Sequence, residues 1–338
     1  MNADTGEPKR IASLLASGTE LVCALGLGER LVARSHECDF PAWVTRLPAV
    51  SRPTFDIAGS SGEIDARVRE RLRAGAPLYE IDETLLASLA PDVIVTQTHC
   101  EVCAVSPGDI PTWDPQRVPD PPRWGSGGEA ACAPTRSHGA PAKLERRQVV
   151  ALDTGTVDGI LDGFQNVAGV LGAGDAGRAL VAGIRARLAA LAERTRALPG
   201  PRPAVACLEW IDPLFAMGNW GPELIALAGG TCALGVAGAH STTLAWQALR
   251  AADPDVIVVA PCGFGVERTL AEMPTLAALP GWGELAAVRA GRVFVADGNL
   301  YFNRSGPLLF DTPEILAEIL HPVAFPPAHE GAVWRRWP

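Results

Sequence analysis

Residues 86–95 read LASLAPDVIV and residues 249–258 read LRAADPDVIV, an offset of 163 positions. In both copies a short run with helical spacing reaches a proline, an aspartate follows, and an uninterrupted apolar run continues. Proline has no N–H and clashes with the preceding helical turn, so each helix stops there. The apolar run has no polar alternation, which marks a strand buried on both faces, as in a parallel sheet. A second pair echoes in the same order: residues 18–28 (GTELVCALGLG) resemble residues 221–230 (GPELIALAGG), an offset of about 203. Two echoes in one order indicate two similar α/β lobes, not an array of short repeats.

Outward from these pairs, the periodicity predicts strands at 10–15, 31–34, 93–96, 149–152, 204–208, 256–260 and 293–296. It predicts helices at 18–27, 63–73, 84–89, 157–171, 222–228 and 313–320. Residues 107–147 hold eight prolines and no apolar period, and read as a long irregular surface insertion. Residues 173–198 (AGDAGRALVAGIRARLAALAERTRAL) are helix formers, with Leu180, Ile184, Leu188 and Leu191 giving one apolar stripe. At 1.5 Å per residue this helix would span about 39 Å, enough to cross two lobes, before Pro199, Gly200 and Pro201 end it. The expected division is an N-terminal α/β lobe (10–172), a connecting helix (173–198), a C-terminal α/β lobe (202–322) and an extended tail (323–338).

Composition narrows the function. The chain has 338 residues, 48% apolar, and a net charge of −9. That is ample for two cores and argues against a nucleic-acid or anionic-membrane binder. No run approaches the ~20 apolar residues of a membrane span. The opening MNADTGEPKR is polar, with no secretory pattern behind it, so a cytoplasmic location with reduced thiols is expected. Eight cysteines in a chain of this length do not make a disulfide framework. There is no G-x-S-x-G elbow, no dinucleotide fingerprint and no phosphate-binding Walker sequence, which favours binding over catalysis.

Ligands of open parallel sheets sit beyond the carboxyl ends of the strands. If two lobes face each other, those loops meet in one cleft. The loops carry His36 and Cys38; Cys100 and Cys103; Trp210; Cys262 and Phe264; and Tyr301, Asn303 and Arg304.

The chain here resembles the class III, helical-backbone substrate-binding proteins of the cobalamin- and ferric-siderophore-binding type. The opening RIASLLASGTELVCALGLGERLVARSHECDFP is similar to that family's first strand, Ser/Thr-Glu helix start and glycine-terminated helix, and APDVIV and DPDVIV to its lobe-central strands. The resemblance covers most of 10–320 apart from 107–147. It implies two Rossmann-like α/β lobes with parallel sheets joined by one long backbone helix, and a receptor of the ABC-transporter type. The loops HECDFP, HCEVCAVS and APCGFG depart from an ordinary cobalamin binder and resemble a branch without an export signal.

Two readings of the polar loop residues stand. Thiolate is a soft metal ligand and neutral imidazole a common one, so His36, Cys38, Cys100, Cys103, Cys262 and His240 are metal-ligand candidates. Buried thiols that behave as small hydrophobes, and an ordinary loop histidine, are the alternative; Cys23 and Cys207 fit that description. Trp210, Trp220, Phe264, Tyr301, Asn303 and Arg304 are candidates to hold a large flat cofactor by apolar walls and polar anchors. The expected function is a binding protein for a metal-containing cofactor, cobalamin or another corrinoid or an iron chelate, in the interlobe cleft. The alternative is a cytosolic metalloprotein or metalloenzyme that holds zinc or an iron–sulfur cluster directly through the Cys/His set. In either case the partner is a small molecule or metal cofactor, not nucleic acid, and the sequence names no transporter partner.

Overall fold

The computed structural model describes residues 9–98, 102, 104–105, 110, 148–152 and 155–338. The insertion reading at 107–147 therefore lies outside the described residues apart from Ile110. The chain forms two compact units: Met1–Thr54 with Tyr79–Leu152, and Phe55–Leu78 with Asp153–Pro338.

The first unit contains β1 (Ile11–Ser13), α1 (Ala16–Ala24), β2 (Leu31–Arg34) and β3 (Ser51–Pro53). The chain then leaves it for α2 (Ser61–Arg73), which belongs to the second unit. It returns as β4 (Tyr79–Ile81), α3 (Glu83–Leu89), β5 (Val93–Gln97) and β6 (Gln148–Leu152). Strands β2, β1, β5 and β6 pair in that order, all parallel, while β3 and β4 form a separate antiparallel pair. Ala12, Leu14, Ala33, Val50, Leu86 and Ile94 are among the buried residues of one core cluster.

The second unit continues with α4 (Val157–Val170), α5 (Gly174–Arg196), β7 (Ala204–Trp210), β8 (Phe215–Ala216) and α6 (Gly221–Leu227). It goes on through β9 (Thr231–Cys232), β10 (Thr242–Thr243), α7 (Trp246–Ala252), β11 (Val256–Val259) and α8 (Val266–Ala277). It ends with α9 (Ala286–Arg289), β12 (Val293–Ala296), α10 (Thr312–Leu320) and β13 (Trp334–Arg336). Strands β9, β7, β11 and β12 are parallel; β8 and β10 add antiparallel pairs at one side and β13 at the other.

The sequence echo holds at the level of single hydrogen bonds. The helices before the two PDV turns end on residues with left-handed φ, Ala90 at 43° and Asp253 at 36°. The aspartates that follow the prolines do the same work. Asp92 Oδ2 accepts from Arg10 N at 2.7 Å, and Asp255 Oδ2 accepts from Ala204 N at 2.7 Å. Each aspartate thereby fastens its own strand to the start of the neighbouring one, β1 or β7, and fixes the parallel register.

Helix α5 is continuous over 23 residues, about 35 Å. Its buried stripe is Gly177, Val181, Ile184, Leu188, Leu191 and Thr195, so Val181 and not Leu180 faces inward. It packs on α4, α6 and α10, all in the second unit. The contact division thus groups α2 and α4 with the C-terminal sheet, whereas the sequence places them in a lobe spanning 10–172. Gly177 explains the α4–α5 approach: a Cβ there would overlap the Ala168 side chain. The tail is also more ordered than an arm, because β13 pairs with β12 and Glu318 accepts from Trp334 Nε1 at 3.2 Å.

Candidate ligand-binding site

In the first unit the loop after β2 is bound to the end of β1. Ser35 N donates to Ser13 O at 2.7 Å, and Thr19 Oγ1, from α1, donates to Cys38 Sγ at 3.0 Å. Cys38 is only 1% exposed. The structure places this sulfur inside the unit, where it joins α1 to the loop.

His36 is half-buried in the same loop. Its Nδ1 lies 3.0 Å from Ser51 Oγ, and its ring packs on Tyr79 with centroids 5.4 Å apart. Burial, with Arg34 nearby, pushes its pKa down to about 4. The imidazole is therefore neutral at physiological pH, the form that binds a metal. A ring nitrogen hydrogen-bonded to a serine hydroxyl also has its orientation fixed, as ligating histidines require. Cys100 and Cys103 lie outside the described residues.

In the second unit three strand ends converge. Cys262 N donates to Glu209 O at 3.0 Å, and Asn299 N donates to Phe264 O at 3.1 Å, so the end of β7 and the loops after β11 and β12 are joined by backbone bonds. Trp210, half-buried at the end of β7, packs against Phe264 with ring centroids 5.2 Å apart. Its Nε1 donates to Asp212 O at 3.0 Å. Phe264 is buried, and the Arg268 guanidinium lies 3.7 Å from its ring centroid, a cation–π contact.

After β12 the chain makes a wide helical turn at Gly298–Phe302, capped by Asp297, whose Oδ1 accepts from Asn299 N and Leu300 N at 2.9 Å each. Gly298 is required there because a Cβ would collide with the carbonyls of Ala260 and Pro261. Asn303 Nδ2 donates to Ala260 O at 2.8 Å and Gly298 O at 2.9 Å, tying the turn to the end of β11. Arg304 is mostly buried and donates to Asn299 Oδ1 at 2.7 Å. Tyr301 is half-exposed, and its carbonyl accepts from Thr312 Oγ1. Trp220 is buried, its Nε1 donating to Phe302 O at 3.0 Å. Asn303 and Trp220 thus hold the loop's backbone, while Trp210 and Tyr301 offer surface.

The remaining candidates are dispersed. His240 is exposed in the loop before β10, and Cys262 is half-buried beside Gly263, whose φ is +74°. Burial raises the Cys207 thiol well above its ordinary range, and burial together with Glu20 pushes Cys23 up to about 11. Among the described residues no group of three or more His, Cys, Asp or Glu side chains is gathered to hold a metal. No described helix is long and apolar enough to cross a membrane. Sequence reasoning missed Ser51, Tyr79 and Arg268. The Asp-Gly pair 297–298 was a legible turn signal for the cap, but an arginine on a charged helix face gives no such signal.

Known proteins place this arrangement. A family model described as periplasmic binding protein matches residues 145–300. A search of curated proteins by sequence finds no match. Among solved structures, the apo periplasmic heme-binding protein RhuT from Roseiflexus sp. RS-1 superposes with a TM-score of 0.63 at 22% identity, covering 94% of this chain and 100% of that one. The periplasmic vitamin B12 binding protein BtuF of Vibrio cholerae gives 0.59 at 19%, with 93% and 97% covered. An ABC transporter substrate-binding protein from Listeria monocytogenes EGD-e gives 0.63 at 14%, with 93% and 99% covered. Residues 145–300 are thus similar to the periplasmic binding protein family, and nearly the whole chain has the fold of these solved binding proteins, the fold that the resemblance implied.

Proposed function

We propose that the protein binds a flat, metal-centred ring (haem, or a corrinoid such as cobalamin) and releases it chemically unchanged. The observation that carries this reading is the half-buried Trp210 packed on Phe264, whose carbonyl accepts from Asn299 N in the capped turn Gly298–Phe302, at the carboxyl ends of parallel strands. A tryptophan face with polar groups at its rim suits a large conjugated ring. Tyr301 and Arg304 supply those polar groups, while Phe264, Trp220 and Asn303 support the wall and the turn from behind. The relatives named for heme and vitamin B12 support the ligand class. The reading takes the protein to act in the cytoplasm with thiols reduced; its support is that eight cysteines in 338 residues are too sparse for a disulfide framework.

The test is titration with haemin and with aquocobalamin, followed by visible absorption. One of the two should bind saturably. Trp210→Ala should weaken it by about tenfold, near 1.4 kcal/mol. Absence of saturable change with either compound contradicts the proposal.

A further inference from the structure

Residues Phe55–Leu78 leave the first unit and return to it, yet they pack with the second. Helix α2 inside this excursion is SGEIDARVRERLR, and Ser61 is its only buried residue. Ile57 and Leu72 are exposed. Ile64 and Val68, spaced four apart, are only half-buried, so α2 lacks the fully buried apolar stripe that normally holds a helix to a protein.

What ties α2 to the second unit is at its N-terminus, while Leu78, 6% exposed, is buried at the far end of the segment. Ser61 N donates to both carboxylate oxygens of Glu272, on α8, at 2.9 and 3.0 Å. That carboxylate meets an otherwise unpaired amide and the positive end of the helix dipole. Arg268, one turn earlier on α8, donates to Gly59 O at 3.2 Å while its guanidinium covers Phe264. On the other side Gly62 abuts Asp212: a Cβ on Gly62 would lie 2.6 Å from Asp212 Oδ2. Asp212 in turn accepts from Trp210 Nε1 through its carbonyl. The start of the excursion therefore lies on the two residues that flank the aromatic pair, Asp212 and Arg268.

We infer that Phe55–Leu78 is a lid over the Trp210–Phe264 wall, latched by Glu272 and Arg268 and able to lift while the rest of the second unit stays folded. Few buried apolar contacts and a polar attachment give a segment a low local opening free energy. The thirteen residues of α2 then move as one piece about the two crossings at 54–55 and 78–79. Opening withdraws the Gly59 carbonyl from Arg268 and Gly62 from Asp212, which exposes Trp210 to an incoming molecule. This deepens the proposed function by assigning a gate to the same aromatic wall, but the lid's motion is measurable without any ligand.

Two variants of the full-length protein push the lid in opposite directions. Glu272→Ala removes the latch without touching either aromatic ring. The pair Gly62→Cys with Asp212→Cys can close it covalently, because a Cβ on Gly62 would stand 3.6 Å from the Asp212 Cβ, within the ~3.5–4.5 Å range of disulfides. Hydrogen–deuterium exchange and hydroxyl-radical labelling of Trp210, both read by mass spectrometry, report the result. In the wild type α2 amides should exchange at least about a hundredfold faster than those buried along α5. Glu272→Ala should speed exchange at 61–65 and raise Trp210 labelling about tenfold and twofold respectively. The oxidised double-cysteine protein should show the opposite changes, slower exchange at 61–65 and less Trp210 labelling than the wild type, and reduction should abolish them. Protection in α5 serves as the folding control. If α2 is as protected as α5, or if Trp210 labelling is the same in the unlatched and cross-linked proteins, the lid is disproved. A protein that passes these tests but binds neither haemin nor aquocobalamin keeps the lid and loses the ligand assignment.

Discussion

At the scale of single residues, His36 joins the sequence to a measurable property. The run Ser-His-Glu-Cys was legible as a loop beyond a strand, and so were both ligand-type side chains. What their spacing could not give is the direction of each. Cys38 turns inward to Thr19, while His36 is half-buried against Ser51 and Tyr79, with its pKa held near 4 by burial and Arg34. Burial direction depends on Ser51 and Tyr79, which come from other parts of the chain. Because the folded-state pKa is depressed, the unfolded chain binds the extra proton first. Stability is thus fully present above the unfolded pKa of about 6.5 and falls as pH drops toward 4. A shift of that size corresponds to about 3 kcal/mol before solvent screening. With a side chain 17% exposed, about 1–2 kcal/mol should survive. Urea denaturation of the ligand-free protein from pH 7 to pH 4 should show this loss, and His36→Gln should reduce it by that amount. An identical pH slope in the variant contradicts the assignment.

At the scale of elements, the long helix was legible in length and continuity, and its stripe was legible apart from one position. The leucines drew the stripe to Leu180, whereas the alternating three- and four-residue spacing of the buried face runs through Gly177 and Val181. Gly177 carries no apolar side chain, so a count of large residues overlooks it, although it sets the approach to α4. Two glycines of this one helix should therefore respond in opposite directions to alanine. Gly183 has open space around it, so Gly183→Ala should stabilise by about 0.5–1 kcal/mol through helix propensity. Gly177→Ala forces a methyl onto Ala168 and should cost about 1–3 kcal/mol. Thermal unfolding of the two variants side by side checks the contrast, and equal stabilisation of both would contradict the α4–α5 packing. The short antiparallel strands β8, β10 and β13 were not legible, because two or three residues carry no period and only their partners make them strands.

At the scale of the whole molecule, the paired PDV turns announced two α/β units, and the atomic correspondence of Asp92 with Asp255 shows why so short a motif was enough. Each copy contains the helix stop, the buried strand and the carboxylate that anchors the adjacent strand. The assignment of Phe55–Leu78 to the second unit was hidden, since it rests on Glu272 and Arg268 more than two hundred positions away. The candidate site was legible as a set of loops. Which side chains face outward was not, because Trp220 and Asn303 are claimed by backbone partners that only the folded turn supplies.

The central claim is that the protein carries a metal-centred ring and does not build its own metal cluster. It is tested most directly by purifying the protein anaerobically from its own cells and recording its absorption spectrum and metal content together. The account predicts porphyrin or corrinoid bands, with iron or cobalt in proportion to the bound pigment and no inorganic sulfide. A colourless protein with one zinc per chain, or one with iron and sulfide in equal amounts, would contradict it.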